Sequence, residues 1–308
     1  TVHTMIESIA EENVAITCGS HDYNMLNYKQ VDDALSLAKT GENTETEFFV
    51  IKTSGVWIYN KLQVKEKDLY VTSATAAFDD NMSPHIVQIE KIQVYDWNYT
   101  DKGWIIWEKA LSRNQEMDMH VFYRILPLDE QCRELGNKCI TPVSYFCNNL
   151  FLVDWNQNSL ENIEFNDLFE FLYTMKYGEK IDEKKYASGI PKVEFEEVVT
   201  TYFDISIETL EIYAQYDDVK GVYPWEAIGP WNRIQQFQPF PEVVNCIENE
   251  DGSLTLTVEA VFQEEGTDCS FRHEVTIREE GDKWIYLGNC IEREGAYKIP
   301  EYKPRRDF

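Results

Sequence analysis

The chain has 308 residues, a length that suggests two domains. Of these residues 43% are hydrophobic and 14% aromatic, a composition that excludes intrinsic disorder. Its 28 basic and 55 acidic residues give a formal net charge of −27, which repels phosphate backbones and argues against nucleic acid as a partner. No apolar run approaches the length needed to span a bilayer.

The first 126 residues predict one helix followed by a series of strands. Residues 27–41 carry apolar side chains at helical spacing and end in Gly41, a typical left-handed helix stop. From there to residue 125 the chain alternates β-branched and aromatic segments with short turns such as Ser54-Gly55. The short connections predict an antiparallel β-meander packed on the helix, and we assign residues 1–126 to a β-rich α+β domain.

Residues 127–190 are predicted to be a helical and extended connecting region. Asp129 is a typical helix N-cap, and residues 167–178 have helical spacing and end in Gly178. The segments between these two helices have the pattern of extended chain. A charged stretch at residues 179–189 is the linker candidate.

Residues 191–308 predict helices followed by four strands. The first helix covers residues 193–203, and Ser206 is placed to cap a second. Asp251-Gly252 and Gly281-Asp282 are typical hairpin turns between strands. The fold class expected for this domain is α+β, with helices packed on a curved four-stranded antiparallel sheet of cystatin-like or NTF2-like shape.

Six segments of the chain together resemble a known family. The chain contains YTDKGW (99–104), NNLFLVDW (148–155), MKYGEK (175–180), PWEAIGPWN (224–232) and GTDCSFRHEVTIRE (266–279). These segments, with QFQPFPEVV (236–244), resemble a family of uncharacterised lipoproteins from anaerobic, mainly gut-dwelling, Gram-positive bacteria. The resemblance implies export and lipid anchoring through a cysteine upstream of Thr1, so that the mature protein is extracellular at the cell surface. It implies no activity and no catalytic residue.

The seven cysteines form no CxxC motif and no Cys/His zinc spacing. Cys132 and Cys139 flank a predicted helix end, and a disulfide between them is the alternative to a fully reduced set. An exported protein of an anaerobe need not form disulfides, so the resemblance favours reduced, structural thiols.

Familiar catalytic and metal motifs fail on their spacing. Residues 36–41 contain both S-x-x-K and K-T-G, which must lie apart in a serine acyl-enzyme and overlap here. The segment from Asp154 to Asn158 begins like a calcium loop, but Ser159 replaces the required glycine and Phe165 the bidentate carboxylate. The sequence therefore predicts no cofactor and no metal, with calcium at Asp154 to Asn158 left open.

The remaining ionisable candidates are single residues or chance pairs. His273 lies four residues beyond Cys269, so a Cys/His dyad depends on the fold, and a structural histidine is the favoured interpretation. Adjacent carboxylates, such as Glu196 with Glu197 or Asp217 with Asp218, are expected by chance among 55 acids.

An aromatic and proline-rich loop at residues 221–241 is the main binding candidate. Its prolines stiffen a segment whose rings provide either a platform for sugars or protein partners, or a second core. The predicted ligand-binding residues are Tyr223, Trp225, Trp231, Phe237 and Phe240. The favoured function is a non-enzymatic binding module with a glycan or protein ligand. An extracellular hydrolase acting on glycans or peptides and a structural envelope component are the alternatives.

Overall fold

A computed structural model describes residues 2–18, 23–78, 83–109, 119–229, 238–281 and 283–306. The chain divides into two compact units. The first contains residues 1–128 with 263–268, and the second contains residues 129–262 with 269–308. The segment 129–190, assigned from sequence to a connecting region, is part of the second unit and contributes to its core. Within the described ranges, no helix is both long enough and apolar enough to cross a membrane.

The first unit combines two helices with two sheets. Its described elements are α1 (Val2–Ala10), β1 (Ile16–Cys18), α2 (Lys29–Lys39), β2 (Thr44–Ile51), β3 (Trp57–Lys65), β4 (Asp68–Phe78), β5 (Pro84–Gln93), β6 (Asp96–Tyr99), β7 (Trp104–Lys109) and β8 (Met119–Arg124). One sheet has the order β1-β2-β3-β4-β5, with β1 parallel to β2 and the other neighbours antiparallel. The other is an antiparallel sheet of β6, β7 and β8. The unit is mixed α and β, which agrees with the fold class that the sequence predicts.

The helix α2 shows why this unit folds. Its buried positions Val31, Leu35 and Ala38 lie at helical spacing and join the apolar side chains of the sheet in one core. Gly41 has a φ of +94°, the left-handed conformation expected of it. The sequence did not predict α1, a helix that buries Ile6.

The second unit packs helices on a five-stranded antiparallel sheet. Its elements are α3 (Glu130–Leu135), β9 (Trp155–Asn156), α4 (Phe165–Tyr177), β10 (Ile190–Pro191), α5 (Lys192–Thr200), α6 (Ile207–Tyr213), β11 (Val222–Tyr223), β12 (Phe240–Glu248), β13 (Leu254–Val261), β14 (Arg272–Glu280) and β15 (Lys283–Ile291). A π-helical turn, Gly136–Ile140, follows α3. The sheet order is β12-β13-β14-β15-β9. The four predicted strands are present, and β9 adds a short fifth.

Helix caps in this unit form as their residue types predict. The Asp129 carboxylate accepts hydrogen bonds from the backbone N–H groups of Gln131 and Cys132, and the Ser206 hydroxyl accepts one from Thr209. Gly178 ends α4 with a φ of +70°. The segment 143–155, predicted to be extended, is mostly irregular, because the side chain of Asn148 bonds the backbone that a neighbouring strand would otherwise have to satisfy.

Candidate functional site

The described rings of the predicted aromatic loop lie in or beside the core of the second unit. Tyr223 is fully buried, its ring stacks on Phe195 with centroids 4.1 Å apart, and its hydroxyl donates to Glu196 over 3.0 Å. Trp225 is 8% exposed and meets Tyr186 edge to face. Pairing of β10 with β11 holds Tyr223 in this position. These contacts favour the core interpretation for both rings.

Of the other three predicted rings, Phe240 lies in a described segment. Phe240 opens β12, is half-buried and pairs in register with Val261. Trp231 and Phe237 lie outside the described residues. Ligand binding by the five-ring loop therefore stays a prediction.

The residues of the calcium-like segment have structural roles. The Asp154 carboxylate accepts a 2.6 Å hydrogen bond from the Ile291 backbone, and the Asn156 amide oxygen accepts one from the Asn158 backbone. Within the described ranges no group of three or more His, Cys, Asp or Glu residues is arranged to hold a metal ion. The segment has the geometry of an Asx turn that joins β9 to the loop after it.

His273 is part of a buried hydrogen-bonded chain and not of a Cys/His dyad. Its Nε2 lies 2.9 Å from the Tyr145 hydroxyl, and its Nδ1 lies 2.6 Å from Oδ1 of Asn289. The Cys269 thiol instead faces the carbonyl of Phe271. All seven cysteines are thiols outside any disulfide, and burial raises the pKa of Cys132 to about 11. A thiol with a raised pKa is a poor nucleophile.

The carboxylate pairs noted in the sequence are held by neighbours. Glu197 forms an ion pair with Lys176, and the Asp217 carboxylate accepts from the backbone of a turn. A different pair, Glu242 and Glu259, lies in register across β12 and β13 at 6% and 2% exposure. Arg272 donates to Glu259 over 2.6 Å, so Glu259 forms a structural ion pair with Arg272. These carboxylate pairs therefore give no support to the alternative hypothesis that the protein is a hydrolase.

An opening of about 460 Å³ in the second unit is lined by Tyr145, Cys147 and the C-terminal segment 300–305. That segment is locked to α4 by Arg305, whose side chain is 5% exposed. The Arg305 guanidinium lies 3.0 Å from the Asp167 carboxylate and 3.1 Å from that of Glu170. A buried ion pair of this kind holds the chain terminus in place.

A surface groove in the first unit is the strongest candidate binding site. It is lined by the end of α2, the turn between β3 and β4, and residues 94–99, and it encloses about 520 Å³ open to solvent. This volume lies in the usual range for ligand sites. The ring of Tyr95 is 76% exposed, and that of Trp97 is partly exposed.

Neighbouring groups hold the aromatic wall of the groove in place. Nε1 of Trp97 donates a 2.9 Å hydrogen bond to the carbonyl of Lys67, which fixes the indole against the β3–β4 turn. At the base of the groove, the buried Tyr99 donates to Asp32 over 2.6 Å. Burial, with that carboxylate as a smaller cause, raises the pKa of Tyr99. The rings of Trp97 and Tyr99 are therefore preorganised on β6.

The polar groups of the groove are balanced in charge. Its lining includes the lysines Lys39 and Lys67 and the aspartates Asp68 and Asp96. The Lys39 ammonium forms a 2.6 Å ion pair with Asp101. The formal charges of the lining residues sum to zero, so the lining itself supplies no excess charge for an ionic ligand.

Comparison with known proteins places the chain in a family. A model for a family of unknown function, DUF6070, matches residues 1–305. The chain belongs to the DUF6070 family. No curated protein matches it, and no solved structure matches it either. This membership agrees with the resemblance seen in the sequence in that both lead to a family without an assigned activity.

Sequence reasoning missed the groove of this DUF6070 chain. Tyr95 and Trp97 lie in the stretch up to residue 125 that the sequence predicts to be a series of strands, and the structure ends β5 at Gln93 and begins β6 at Asp96. The break turns Tyr95 towards solvent, where a continuous alternating strand offers no reason to single it out. A possible signal is the run of three aromatic residues at alternate positions, Tyr95, Trp97 and Tyr99, beside acidic and amide side chains.

Proposed function

We propose that this DUF6070 protein is a non-enzymatic binding module whose ligand is a neutral oligosaccharide held in the surface groove. The observation that carries the proposal is the exposed Tyr95 ring next to the hydrogen-bonded Trp97 indole. Aromatic rings provide flat apolar surface at a low cost in conformational entropy. Polar groups at the rim provide the hydrogen bonds that orient a polyhydroxylated ligand.

The charge of the protein favours a neutral ligand. The net charge of −27 repels anions at long range, and the two lysines of the groove are balanced by its two aspartates. An acidic polysaccharide would have to overcome that repulsion, and a basic peptide would find no excess of acid in the groove. A neutral sugar polymer meets neither obstacle.

The groove supports binding better than hydrolysis. Glycosidic cleavage by two carboxyl groups needs one that burial keeps protonated near neutral pH. Asp68 and Asp96 are both exposed, Asp68 accepts a hydrogen bond from Gln93, and Asp96 bonds the backbone of Trp97. Neither aspartate has the desolvated environment that an acid catalyst requires.

Export and lipid anchoring at the cell surface are part of this proposal. They are supported by the resemblance to uncharacterised lipoproteins and by the acidic, well-folded character of the chain. Labelling of producing cells with an alkyne fatty acid should tag the native full-length protein. A protein that stays untagged and is recovered from the cytoplasm would refute the anchor without affecting the groove.

The binding proposal is tested with neutral cello-, xylo- and malto-oligosaccharides in isothermal titration calorimetry. We expect at least one series to bind, and we expect Tyr95→Ala to weaken that binding by about tenfold because an exposed anchoring ring is lost. The matched control is Tyr297→Ala, which removes a ring of 85% exposure in the second unit and should leave affinity unchanged. Both variants should keep the wild-type melting temperature.

Two outcomes contradict the proposal. If no neutral oligosaccharide binds, the envelope-component alternative gains support. If chromatography shows that the bound sugar is cleaved, the protein is a hydrolase.

A further inference from the structure

A second site lies inside the first unit, between its two sheets. Side chains from β3, β4, β5, β7 and β8 line an inner cavity of about 200 Å³ that is partly open to solvent. This volume has room for about seven water-sized groups, given the share of liquid volume that one water occupies. The inner cavity shares no lining residue with the surface groove.

The strands change character where they reach the inner cavity. On β4, the buried Leu69 and Val71 are followed at alternate positions by Ser73 and Thr75, and Val71, Ser73 and Thr75 all line the cavity. Alternate residues of a strand share one face, so this inward face turns from apolar to polar along its length. The other strands place the polar side chains Asn60, Glu90 and Lys109 at the same level. A face built only for packing would stay apolar.

Among the described residues, two buried donors in the cavity wall have no acceptor in hydrogen-bond geometry. The residues Asn60 and Trp107 are 1% and 2% exposed, and within the described ranges neither Nδ2 of Asn60 nor Nε1 of Trp107 has a hydrogen-bond partner. The other end of the Asn60 amide is occupied, because its Oδ1 accepts a 2.7 Å hydrogen bond from Ser73. An indole nitrogen donates and never accepts, so Trp107 needs an acceptor that the described residues do not supply. Leaving such donors unpaired costs about 1–3 kcal/mol each.

The rest of the wall limits the ligand further. Lys109 and Glu90 form a 2.7 Å ion pair at the partly exposed edge, so the cavity has no unbalanced charge among its described groups. Ile58, Ile92 and Val121 supply apolar surface on the remaining sides. A ligand that matches both the apolar side chains and the two donors has an apolar body and an acceptor oxygen.

We propose that the inner cavity binds a small neutral organic molecule whose carbonyl or hydroxyl oxygen accepts hydrogen bonds from Trp107 Nε1 and Asn60 Nδ2. An anion is disfavoured, because the lining is already neutral and the chain carries a net charge of −27. This site is independent of the surface groove. Its occupant and any sugar bound outside are separate ligands.

The experiment uses the full chain labelled with ¹⁵N and follows the indole N–H signals by NMR. The Trp107 signal is assigned by its loss in Trp107→Phe, a variant that keeps the apolar ring volume and removes the donor. The probes are cyclohexanone and δ-valerolactam, which are neutral carbonyl compounds, and acetate as the anionic comparator. We expect both neutral probes to move the Trp107 signal downfield in a saturable manner, as formation of a hydrogen bond requires. The Trp97 signal should stay in place, because that indole already donates to Lys67.

The variants separate a binding site from a structural cavity. Asn60→Leu should weaken cyclohexanone binding by about tenfold, since it removes one of the two orphan donors. Asn245→Leu changes an exposed asparagine of β12 in the same way and should bind like the wild type. If Asn60→Leu does not fold, Trp107→Phe gives the same comparison through saturation-transfer signals of the probe. The proposal is overturned if neither carbonyl compound moves the Trp107 signal, which would leave a cavity filled only by water, or if acetate binds more tightly than both.

Discussion

Acid should destabilise the second unit through His273, a residue that sequence reasoning favoured as structural. The amide nitrogen of Asn289 donates to the Val153 carbonyl, so its Oδ1 is the atom that faces the histidine and it accepts from Nδ1. Nε2 is then unprotonated and accepts from the Tyr145 hydroxyl over 2.9 Å. The neutral imidazole thus has both nitrogens satisfied, and a second proton would break the bond from Tyr145 and place a charge in the core.

The size of the effect follows from the pKa. Burial lowers the pKa of His273 from 6.5 to about 4, and the hydrogen bond to Asn289 opposes that change only in part. The unfolded chain takes up the proton first as the pH falls, so the free energy of unfolding falls from pH 6.5 towards pH 4. The whole span corresponds to about 3 kcal/mol, and the step from pH 7 to pH 5 to about 2 kcal/mol. Above pH 6.5 the stabilisation is fully present.

Urea unfolding at pH 7 and pH 5 measures this effect in the wild type and in His273→Gln, whose side chain does not titrate. The variant should be less stable at pH 7, and its loss of stability between the two values should be smaller than that of the wild type by about 2 kcal/mol. His85→Gln, at an exposed histidine, is the matched control and should retain the wild-type pH dependence. Titration of the His273 ring signal in NMR with a pKa near 6.5, or equal pH dependence in wild type and variant, would refute the reasoning.

Two further predictions concern the second unit. Trp225→Ala should cost about 3–5 kcal/mol of stability because the ring is 8% exposed and packs on Tyr186, and a melting temperature close to that of wild type would show that the ring is not core. Arg305→Ala should cost about 3–5 kcal/mol in chemical denaturation because it removes the cationic partner of the Asp167 carboxylate, which is 4% exposed, and a change below about 1 kcal/mol would show that the C-terminal segment is not held by this ion pair.

Much of the local structure was determined by the sequence itself. The caps at Asp129 and Ser206, the left-handed stop at Gly178 and the alternating strands of both units depend on contacts between residues close in the chain. Such contacts are set by residue type and spacing, so they could be predicted without the fold. The mixed α+β class follows from the same periodicities.

The fold alone decided which side chains are buried and which meet. Tyr223 and Trp225 have the composition of a binding platform, but the pairing of β10 with β11 and the stacking on Phe195 place Tyr223 in the core. The break before β6 exposes Tyr95, and within the described ranges the two sheets of the first unit leave two buried donors without acceptors. These features depend on contacts between residues far apart in the chain. The spacing of residues predicts which face of a helix or strand a side chain lies on. It does not predict which other element packs against that face.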